Sequence, residues 1–174
     1  MNGEWRLRRA TAADAPAVAM VAAASFLETF AGILPGADIV GHCARNSSIE
    51  KFVGWANDPT SVVTLAAHPV TDAPVGYSLL TTPDLPVAPE PGDIEMRRIY
   101  ALSLTRGTGI GHALMVRALA DARELGRRRL LLGVLGTNTR ARAFYEREGF
   151  ELAGERRFNV GQGWYDDVIY ARRL

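Results

Sequence analysis

The chain has 174 residues, with 20 Lys and Arg, 19 Asp and Glu, and a formal net charge of +1. This length suits one ordinary domain that needs no disulfide or metal to fold, and the balanced charge argues against a general affinity for nucleic acid or acidic membranes. The single cysteine, Cys43, excludes an internal disulfide and suits a reducing cytoplasm, and the three histidines lack the spacing of metal ligands.

The N-terminal region predicts a strand followed by a helix. Trp5 and Leu7 alternate with arginines, as in a half-buried strand, and apolar residues then recur at helical spacing over residues 13–31. Thr11 and Asp14 predict a capping box before this helix. The arginines and the apolar stretch imitate a secretory signal, but Asp14 interrupts the approach and the helical pattern continues past any cleavage point. We therefore expect a folded helix in a cytoplasmic protein, with no stretch of the roughly 20 apolar residues that a membrane span needs.

The next segment predicts a second helix and a hairpin. Residues 37–56 form a more polar helical region that stops at an Asn-Asp-Pro sequence. Residues 61–67 and 75–81 are strand-like runs joined by a turn that contains proline, which is typical of a hairpin. Four prolines between residues 83 and 91 then predict a stiff surface loop inside the domain.

A strand over residues 94–104 has an alternation that slips in its middle. Ile94 and Met96 share one face, whereas Ile99 and Ala101 stand at odd spacing from Met96. One extra residue near Arg97 would restore the pattern, so we predict a β-bulge there.

A glycine-rich run, Arg106-Gly107-Thr108-Gly109-Ile110-Gly111, leaves this strand and opens a helix that ends at Gly126. Glycines let successive backbone N–H groups turn toward one anion, and the helix N-terminus adds partial positive charge, so the run predicts a diphosphate cradle. A plain tight turn with a helix cap is the alternative. The dinucleotide fingerprint needs a glycine where His112 stands, and the triphosphate loop needs a Gly-Lys-Ser/Thr sequence that is absent.

The C-terminal third predicts one more helix between strands. Residues 130–135 are apolar without alternation, as in a parallel strand covered on both faces. Asn138 begins a short helix that ends at Gly149, and strands over 150–160 and 164–172 follow. The order β-α-α-β-β-β-α-β-α-β-β contains no repeat and no domain boundary, so we expect a single domain over residues 1–174.

At these residues the chain resembles the GNAT superfamily of N-acetyltransferases. The acyl-CoA signature of that superfamily, Gln/Arg-x-x-Gly-x-Gly/Ala, is matched by Arg106, Gly109 and Gly111. Residues 138–150 are similar to its Asn-x-x-Ala-x-x-Phe-Tyr-x-x-x-Gly-Phe run, and residues 95–101 resemble its central bulged strand. The resemblance implies an α/β (α+β) fold: a mixed, mostly antiparallel sheet of six or seven strands, with helices on both faces and a splayed parallel strand pair.

The same resemblance implies acetyl-CoA as co-substrate and a set of residues that bind it. Ile99, Tyr100 and Ala101 would offer backbone groups to pantetheine, and the amide of Ala101 would point at the thioester oxygen and stabilise the oxyanion. Asn138 would bond the pantetheine arm, which is compatible with its alternative role as a helix cap. The pyrophosphate would be held by Gly107, Thr108, Gly109, Ile110, Gly111 and His112.

Two catalytic residues follow from the resemblance. Tyr145 corresponds to the proton donor for the departing CoA thiolate, because a phenol with a pKa of roughly 10 stays protonated at neutral pH and can donate to a thiolate of about 8.5. An aromatic anchor for the last helix is the alternative. Glu95 stands where relatives carry a carboxylate and is the candidate base, acting through a water, against the alternative of a surface carboxylate. Arg97 occupies a position where many members carry a glutamate.

Within the superfamily the chain is most similar to the bacterial polyamine (spermidine/spermine) N-acetyltransferase branch. The similar segments are residues 26–30, 98–100, 132–134 and 158–167. This similarity implies an acceptor wall with Glu28 and Phe30, where the Glu28 charge would attract a polycation. Arg97 and Arg98 near the cleft would repel one.

The predicted function is acetyl transfer to an amine of a small molecule, with a polyamine as one acceptor. A peptide or protein N-terminus as acceptor and a catalytically silent acyl-CoA sensor are the alternatives, and the presence of Tyr145 argues against the sensor. We expect no metal, nucleic acid or membrane partner. The sequence leaves the oligomeric state open, and a homodimer is compatible with it.

Overall fold

The computed structural model describes residues 5–174, which form one mixed sheet with helices on both faces. The helices in this part of the chain are α1 (Ala15–Phe30), α2 (Gly36–Asn46), α3 (Ile49–Asn57), α4 (Ile110–Glu124) and α5 (Thr139–Arg147). The strands in the same range are β1 (Arg6–Arg9), β2 (Val62–Ala67), β3 (Pro74–Thr81), β4 (Asp93–Ala101), β5 (Arg129–Leu135), β6 (Glu151–Val160) and β7 (Gly163–Arg173).

The sheet contains a parallel pair of strands, β4 and β5, among antiparallel neighbours. Over residues 5–174 the sheet has seven strands in the order β1-β2-β3-β4-β5-β7-β6, and β4 and β5 are its parallel neighbours while the other pairs are antiparallel. Helix α4 makes the crossover that a parallel pair requires. The predicted fold class is confirmed.

The two faces of the sheet carry separate hydrophobic cores. On one face, which we call the α1 face, Val18 and Phe52 from α1 and α3 pack with Leu65 of β2. On the opposite α4 face, Met115 of α4 packs with Leu132 of β5. Burial on both faces accounts for the near-continuous apolar character of the central strands.

Helix α1 is a core helix in this structure. By length and composition alone, the stretch Ala12–Phe30 could cross a membrane. In the fold, however, α1 packs against β3 and α3, and Val18, Val21 and Ala22 are each 1% exposed. The backbone N–H of Thr11 donates to the Asp14 carboxylate at 2.9 Å, as the predicted capping box requires.

The prediction of one helix over residues 37–56 was wrong, because two serines divide it into α2 and α3. Ser47 ends α2 with non-helical backbone angles, and Ser48 is extended. The Ser48 hydroxyl accepts a hydrogen bond from the Lys51 N–H at 3.3 Å and so begins a new helix. Serine competes with the helical backbone through such local bonds, which the apolar periodicity alone does not reveal.

The predicted bulge in β4 is confirmed at Arg97. Leu79 of β3 pairs with Arg98, and the next residue, Leu80, pairs with Met96, so Arg97 is the extra residue. The bulge restores the alternation on both sides of it.

After Glu95, just before the bulge, β4 and β5 separate. Their parallel pairing runs from Asp93 with Arg129 to Glu95 with Leu131. β5 then stays paired with β7 as far as Leu135, while β4 stays paired with β3. The gap between residues 96–101 of β4 and residues 132–135 of β5 is called the splay below.

Candidate active site

The edge of β4 that borders the splay presents backbone donors to it. The N–H of Leu102 donates to the Val75 carbonyl of β3 at 2.8 Å. Because successive N–H groups of a strand point to opposite sides, the N–H groups of Ile99 and Ala101 face the splay, whereas that of Tyr100 faces β3. Of the three predicted backbone contacts, two therefore border the gap, and Tyr100 contributes its side chain to the α1 face.

The backbone of β4 packs closely against Gly76 of the neighbouring strand β3. A Cβ added at Gly76 would lie 2.8 Å from the Tyr100 carbonyl oxygen and 3.2 Å from the Cα of Ala101. Any side chain at Gly76 would therefore displace β4 where its donors face the splay. No functional role is predicted for Gly76 from the sequence, although an isolated glycine inside a strand pattern is the signal for such a close approach.

The glycine loop after β4 adopts a conformation that needs its glycines. Gly107 and Gly109 have φ angles of 76° and 83°, which residues with a side chain rarely adopt. A Cβ added at either glycine would meet no atom within 4 Å. The requirement for glycine is thus one of backbone conformation, and the space in front of the N-terminus of α4 stays open.

The first turn of α4 fits a bound diphosphate. The Ala113 N–H donates to the Gly109 carbonyl at 2.9 Å, so the preceding N–H groups of Ile110, Gly111 and His112 have no intrahelical acceptor. No acidic side chain lies in this first turn. The helix dipole adds partial positive charge at the same point, and together these features make an anion site.

Side chains around the loop brace it. The Thr108 hydroxyl donates to the Thr105 carbonyl at 2.6 Å, and the Trp5 indole N–H donates to the Thr108 carbonyl at 3.4 Å. Nδ1 of His112 lies 2.8 Å from the Glu148 carboxylate and so connects α4 to the end of α5. These contacts hold the loop, in which the Thr108 N–H donates to the Thr105 carbonyl at 3.2 Å. The N–H groups of Ile110, Gly111 and His112 at the start of α4 are the ones left without an intrahelical acceptor.

Helix α5 brings Asn138 and Tyr145 to the other side of the splay. The Asn138 side chain accepts a hydrogen bond from the Ala141 N–H at 3.1 Å, and its amide NH₂ can still donate. Tyr145 is 8% exposed and packs among Phe144 and other aromatic rings of the α4 face. Burial raises the pKa of Tyr145 above that of a free phenol, and the nearby Tyr100 acts in the same direction. The Tyr145 hydroxyl is therefore protonated at neutral pH.

Glu95 lies on the α1 face below the bulge. Its neighbours Ile94 and Met96 belong to the α4-face core, so alternation turns the buried Glu95 side chain to the other face. Oε2 of Glu95 accepts from the Asp84 N–H at 2.7 Å and from the Arg97 guanidinium at 3.3 Å. Glu95 thus ties the proline-rich loop to the central strand.

Glu28 and Phe30 stand at the end of α1 beside the exit of β4. The two carboxylate oxygens of Glu28 accept from the N–H and the hydroxyl of Ser103, at 2.8 and 3.0 Å. The half-buried Phe30 ring packs on Phe26 with centroids 4.5 Å apart. The structure thereby places Glu28 against Ser103, two residues after Ala101, whereas Phe30 packs against the cluster of Phe26, Leu34, Ile39 and Val160.

Two polar side chains also project from the α1 face: Arg98, which the sequence places near the cleft, and Asp167, which the sequence does not assign to the site. The Arg98 guanidinium donates to the Asn46 carbonyl at 2.7 Å, and Asp167 of β7 pairs with Arg156 of β6 at 3.2 Å. No sequence motif marks Asp167, because its place opposite Leu135 depends on how β7 pairs with β5.

Cysteine and metal chemistry receive no support from the geometry. Burial raises the pKa of the Cys43 thiol, and Arg98 acts in the opposite direction. Residues 5–174 contain no group of three or more His, Cys, Asp or Glu side chains placed to hold a metal ion.

Comparison with known structures supports the fold. The PaiA N-acetyltransferase of Thermoplasma acidophilum, whose crystal structure is a complex with coenzyme A, superposes with a TM-score of 0.79 over 99% of this chain and 100% of that chain, at 19% identity. At this identity the similarity shows the shared fold.

Comparison of sequences identifies the family. The profile of the Acetyltransferase (GNAT) family matches residues 36–150. An uncharacterized N-acetyltransferase of Mycobacterium tuberculosis is 32% identical over 161 residues, which cover 92% of this chain and 98% of that protein. The mycothiol acetyltransferase of Rhodococcus erythropolis is 36% identical over 90 residues, which cover 50% of this chain and 26% of that enzyme. The chain therefore belongs to the GNAT family of acetyltransferases, which use acetyl-CoA as the acyl donor.

Proposed function

We propose that this protein transfers the acetyl group of acetyl-CoA to a primary amine of a small molecule, which attacks the thioester directly. The observation that carries the proposal is the splay. Two β4 amides border this gap, and it lies between the α4 N-terminus and Tyr145. Acetyl-CoA supplies the activated acyl group, and the chain binds it, orients it and manages protons. We further propose that residues 1–174 act as one domain in the cytoplasm.

Binding would use backbone donors more than side chains. The pyrophosphate would lie against the loop and first helical turn, residues 107–112. The N–H groups of Ile110, Gly111 and His112 would hold it, whereas the Thr108 N–H donates to the Thr105 carbonyl. Ile99 and Ala101 would bond pantetheine along the splay, with the Asn138 amide donating from the opposite side. The Ala101 N–H would stabilise negative charge that develops on the thioester oxygen, where a fixed donor needs no reorganisation.

Proton transfer would involve two residues on opposite faces of the sheet. Tyr145 would donate its proton to the departing thiolate, which its raised pKa permits because the hydroxyl stays protonated. Glu95 would accept the proton of the acceptor ammonium through a water. The Asp84 N–H and the Arg97 guanidinium both donate to Oε2 of Glu95. Oε1 is therefore the oxygen that would bind this water.

A polyamine is one candidate acceptor, and its binding would depend on the Glu28 carboxylate. Both Glu28 oxygens accept hydrogen bonds from Ser103, yet the side chain is exposed beside the end of β4. A peptide N-terminus is the alternative acceptor. The positive charge of Arg98 on the same face would repel a polycation.

The proposed activity is tested by mass-spectrometric detection of acetylated product, together with CoA release, over spermidine, amino acids, aminoglycosides and N-terminal peptides. We expect turnover with at least one small amine. If spermidine is a substrate, Glu28→Gln should raise its KM severalfold with little change in kcat, because the contact is the same in ground and transition states. A protein that binds acetyl-CoA but acetylates none of these amines would contradict the proposal and favour a silent sensor.

A further inference from the structure

The indole of Trp5 is bonded to the glycine loop from a distant part of the chain. Its N–H donates to the Thr108 carbonyl at 3.4 Å, across 103 positions in the sequence. Thr108 lies between Gly107 and Gly109, whose φ angles are 76° and 83°. The carbonyl that Trp5 holds therefore belongs to the turn that leads into α4.

This bond fixes the direction of one peptide group in the loop. The peptide between Thr108 and Gly109 is trans, so its C=O and its N–H point to opposite sides of the chain. Because the Thr108 carbonyl points to Trp5, the Gly109 N–H points away from Trp5. Within residues 5–174 no protein group accepts a hydrogen bond from this N–H, so it is available to a ligand.

Trp5 and helix α5 lie on opposite sides of the start of α4. Trp5 packs against the cluster that contains Ala66 of β2 and Ile110 of α4. On the α5 side, a Cβ added at Gly111 would lie 3.8 Å from the Phe144 ring. The sheet order places β1 and β2 on one side of β4, and the splay and β5 on the other. The N–H that points away from Trp5 is therefore directed away from β1 and β2, on the side of α4 where the splay lies.

Packing holds the Trp5 ring in place. The ring is half-buried against the cluster that also contains Leu114 of α4. The His68 ring meets it edge-on, with centroids 6.2 Å apart and an angle of 74° between the planes. Nδ1 of His68 accepts from the Val70 N–H at 3.3 Å, which fixes the imidazole in turn. The indole N–H is therefore a fixed donor, and no further ordering of Trp5 is needed when a ligand binds the loop.

The other bonds of Thr108 are local. Its N–H and its hydroxyl both donate to the Thr105 carbonyl, at 3.2 and 2.6 Å. Within residues 5–174, the Trp5 bond is the one that joins Thr108 to a segment outside the loop. Without that bond the turn would keep its internal contacts, but the Thr108 carbonyl would bond water and the peptide group before Gly109 would be free to rotate, because glycine allows many backbone angles.

From this arrangement we propose that Trp5 is a positioning residue for the acyl donor. By holding the Thr108 carbonyl, Trp5 directs the Gly109 N–H to the diphosphate of acetyl-CoA, beside the three free N–H groups in the first turn of α4. Trp5 lies outside the set of residues proposed to meet the thioester or the acceptor, so its influence is confined to the nucleotide end of the donor. The inference rests on the proposed placement of the pyrophosphate at the glycine loop and adds one donor and its support.

The test compares acetyl-CoA with S-acetylpantetheine, which carries the same thioester and pantetheine arm but no diphosphate or nucleotide. Trp5→Phe keeps an aromatic ring in the cluster and lacks the indole N–H. In titrations followed by amide NMR, we expect Trp5→Phe to raise the Kd of acetyl-CoA about threefold to tenfold, as for the loss of one hydrogen bond. The Kd of S-acetylpantetheine should be unchanged. In wild type, acetyl-CoA should shift the Gly109 amide proton downfield, and S-acetylpantetheine should not.

Trp55→Phe is the matched control, because Trp55 is also half-buried but lies on α3, on the opposite face of the sheet. We expect wild-type Kd values for both ligands in this control. Three results would each overturn the inference and leave the proposed activity intact: an equal loss of affinity for both ligands in Trp5→Phe, unchanged acetyl-CoA affinity in that variant, or a Gly109 amide in wild type that does not respond to acetyl-CoA. A wild-type protein that does not bind acetyl-CoA would overturn both.

Discussion

Gly109→Glu is expected to weaken acetyl-CoA binding by about a hundredfold or more. Gly109 has φ of 83° at the start of α4, so a side chain strains the loop that directs the N–H groups outward. The added carboxylate would also stand where the pyrophosphate approaches. Loss of two hydrogen bonds to a charged group, at roughly 1.5–3 kcal/mol each, accounts for a change of this size. Isothermal titration of the variant with acetyl-CoA measures it.

Gly126→Glu is the matched control for this variant. Gly126 lies just past the other end of α4, has φ of 69°, and likewise has open space where a Cβ would be. The backbone strain and the added charge are thus similar, whereas the distance from the loop is the length of the helix. We expect Gly126→Glu to bind acetyl-CoA as wild type does. Undiminished affinity in a folded Gly109→Glu protein would remove the glycine loop from the cofactor site.

Tyr145→Phe is expected to lower kcat on the order of a hundredfold while acetyl-CoA affinity is unchanged. The ring would keep its packing against Phe144 and Phe150, but no hydroxyl would protonate the departing thiolate. General acid catalysis typically contributes 10²–10⁴-fold, which sets the scale. Because burial raises the Tyr145 pKa, wild-type kcat should show no loss from Tyr145 ionisation as the pH rises to 10.

Tyr170→Phe is the control that separates the loss of a catalytic proton donor from the loss of a buried hydroxyl. Tyr170 is also buried on the α4 face, and its hydroxyl donates to Glu146 at 2.6 Å and accepts from Arg142 at 3.2 Å. Loss of these bonds should lower Tm more than Tyr145→Phe does, with kcat close to wild type. A wild-type rate in Tyr145→Phe would mean that water or another group protonates the thiolate.

Local chemistry explains why much of the cofactor site could be predicted from the sequence. The positive φ angles at Gly107 and Gly109 and the bulge at Arg97 leave direct traces, namely glycines before a helical pattern and a slip in strand alternation. The parallel character of β5 also follows from its unbroken apolar run. Such features depend on residues close together in the chain.

The acceptor side could not be predicted in the same way, because it depends on register between distant strands. Asp167 stands opposite Leu135 of β5 because β7 pairs with β5, and Arg156 stands opposite Asp167 through the β6–β7 register. Gly76 approaches Ala101 through the pairing of β3 with β4. No spacing in the sequence encodes these contacts. The polyamine hypothesis therefore rests on Glu28 and on short similar segments, and the charges of Arg97 and Arg98 oppose it.

The central claim is that acetyl-CoA lies in the splay, bonded by the β4 edge and the α4 N-terminus. Residue-resolved amide hydrogen exchange by NMR, with and without acetyl-CoA, tests it most directly. We predict slower exchange at Ile99 and Ala101 and over residues 110–112, with no change at Tyr100, whose N–H already faces β3. Unchanged exchange at Ile99 and Ala101 with saturating acetyl-CoA, or protection confined to other parts of the sheet, would contradict it.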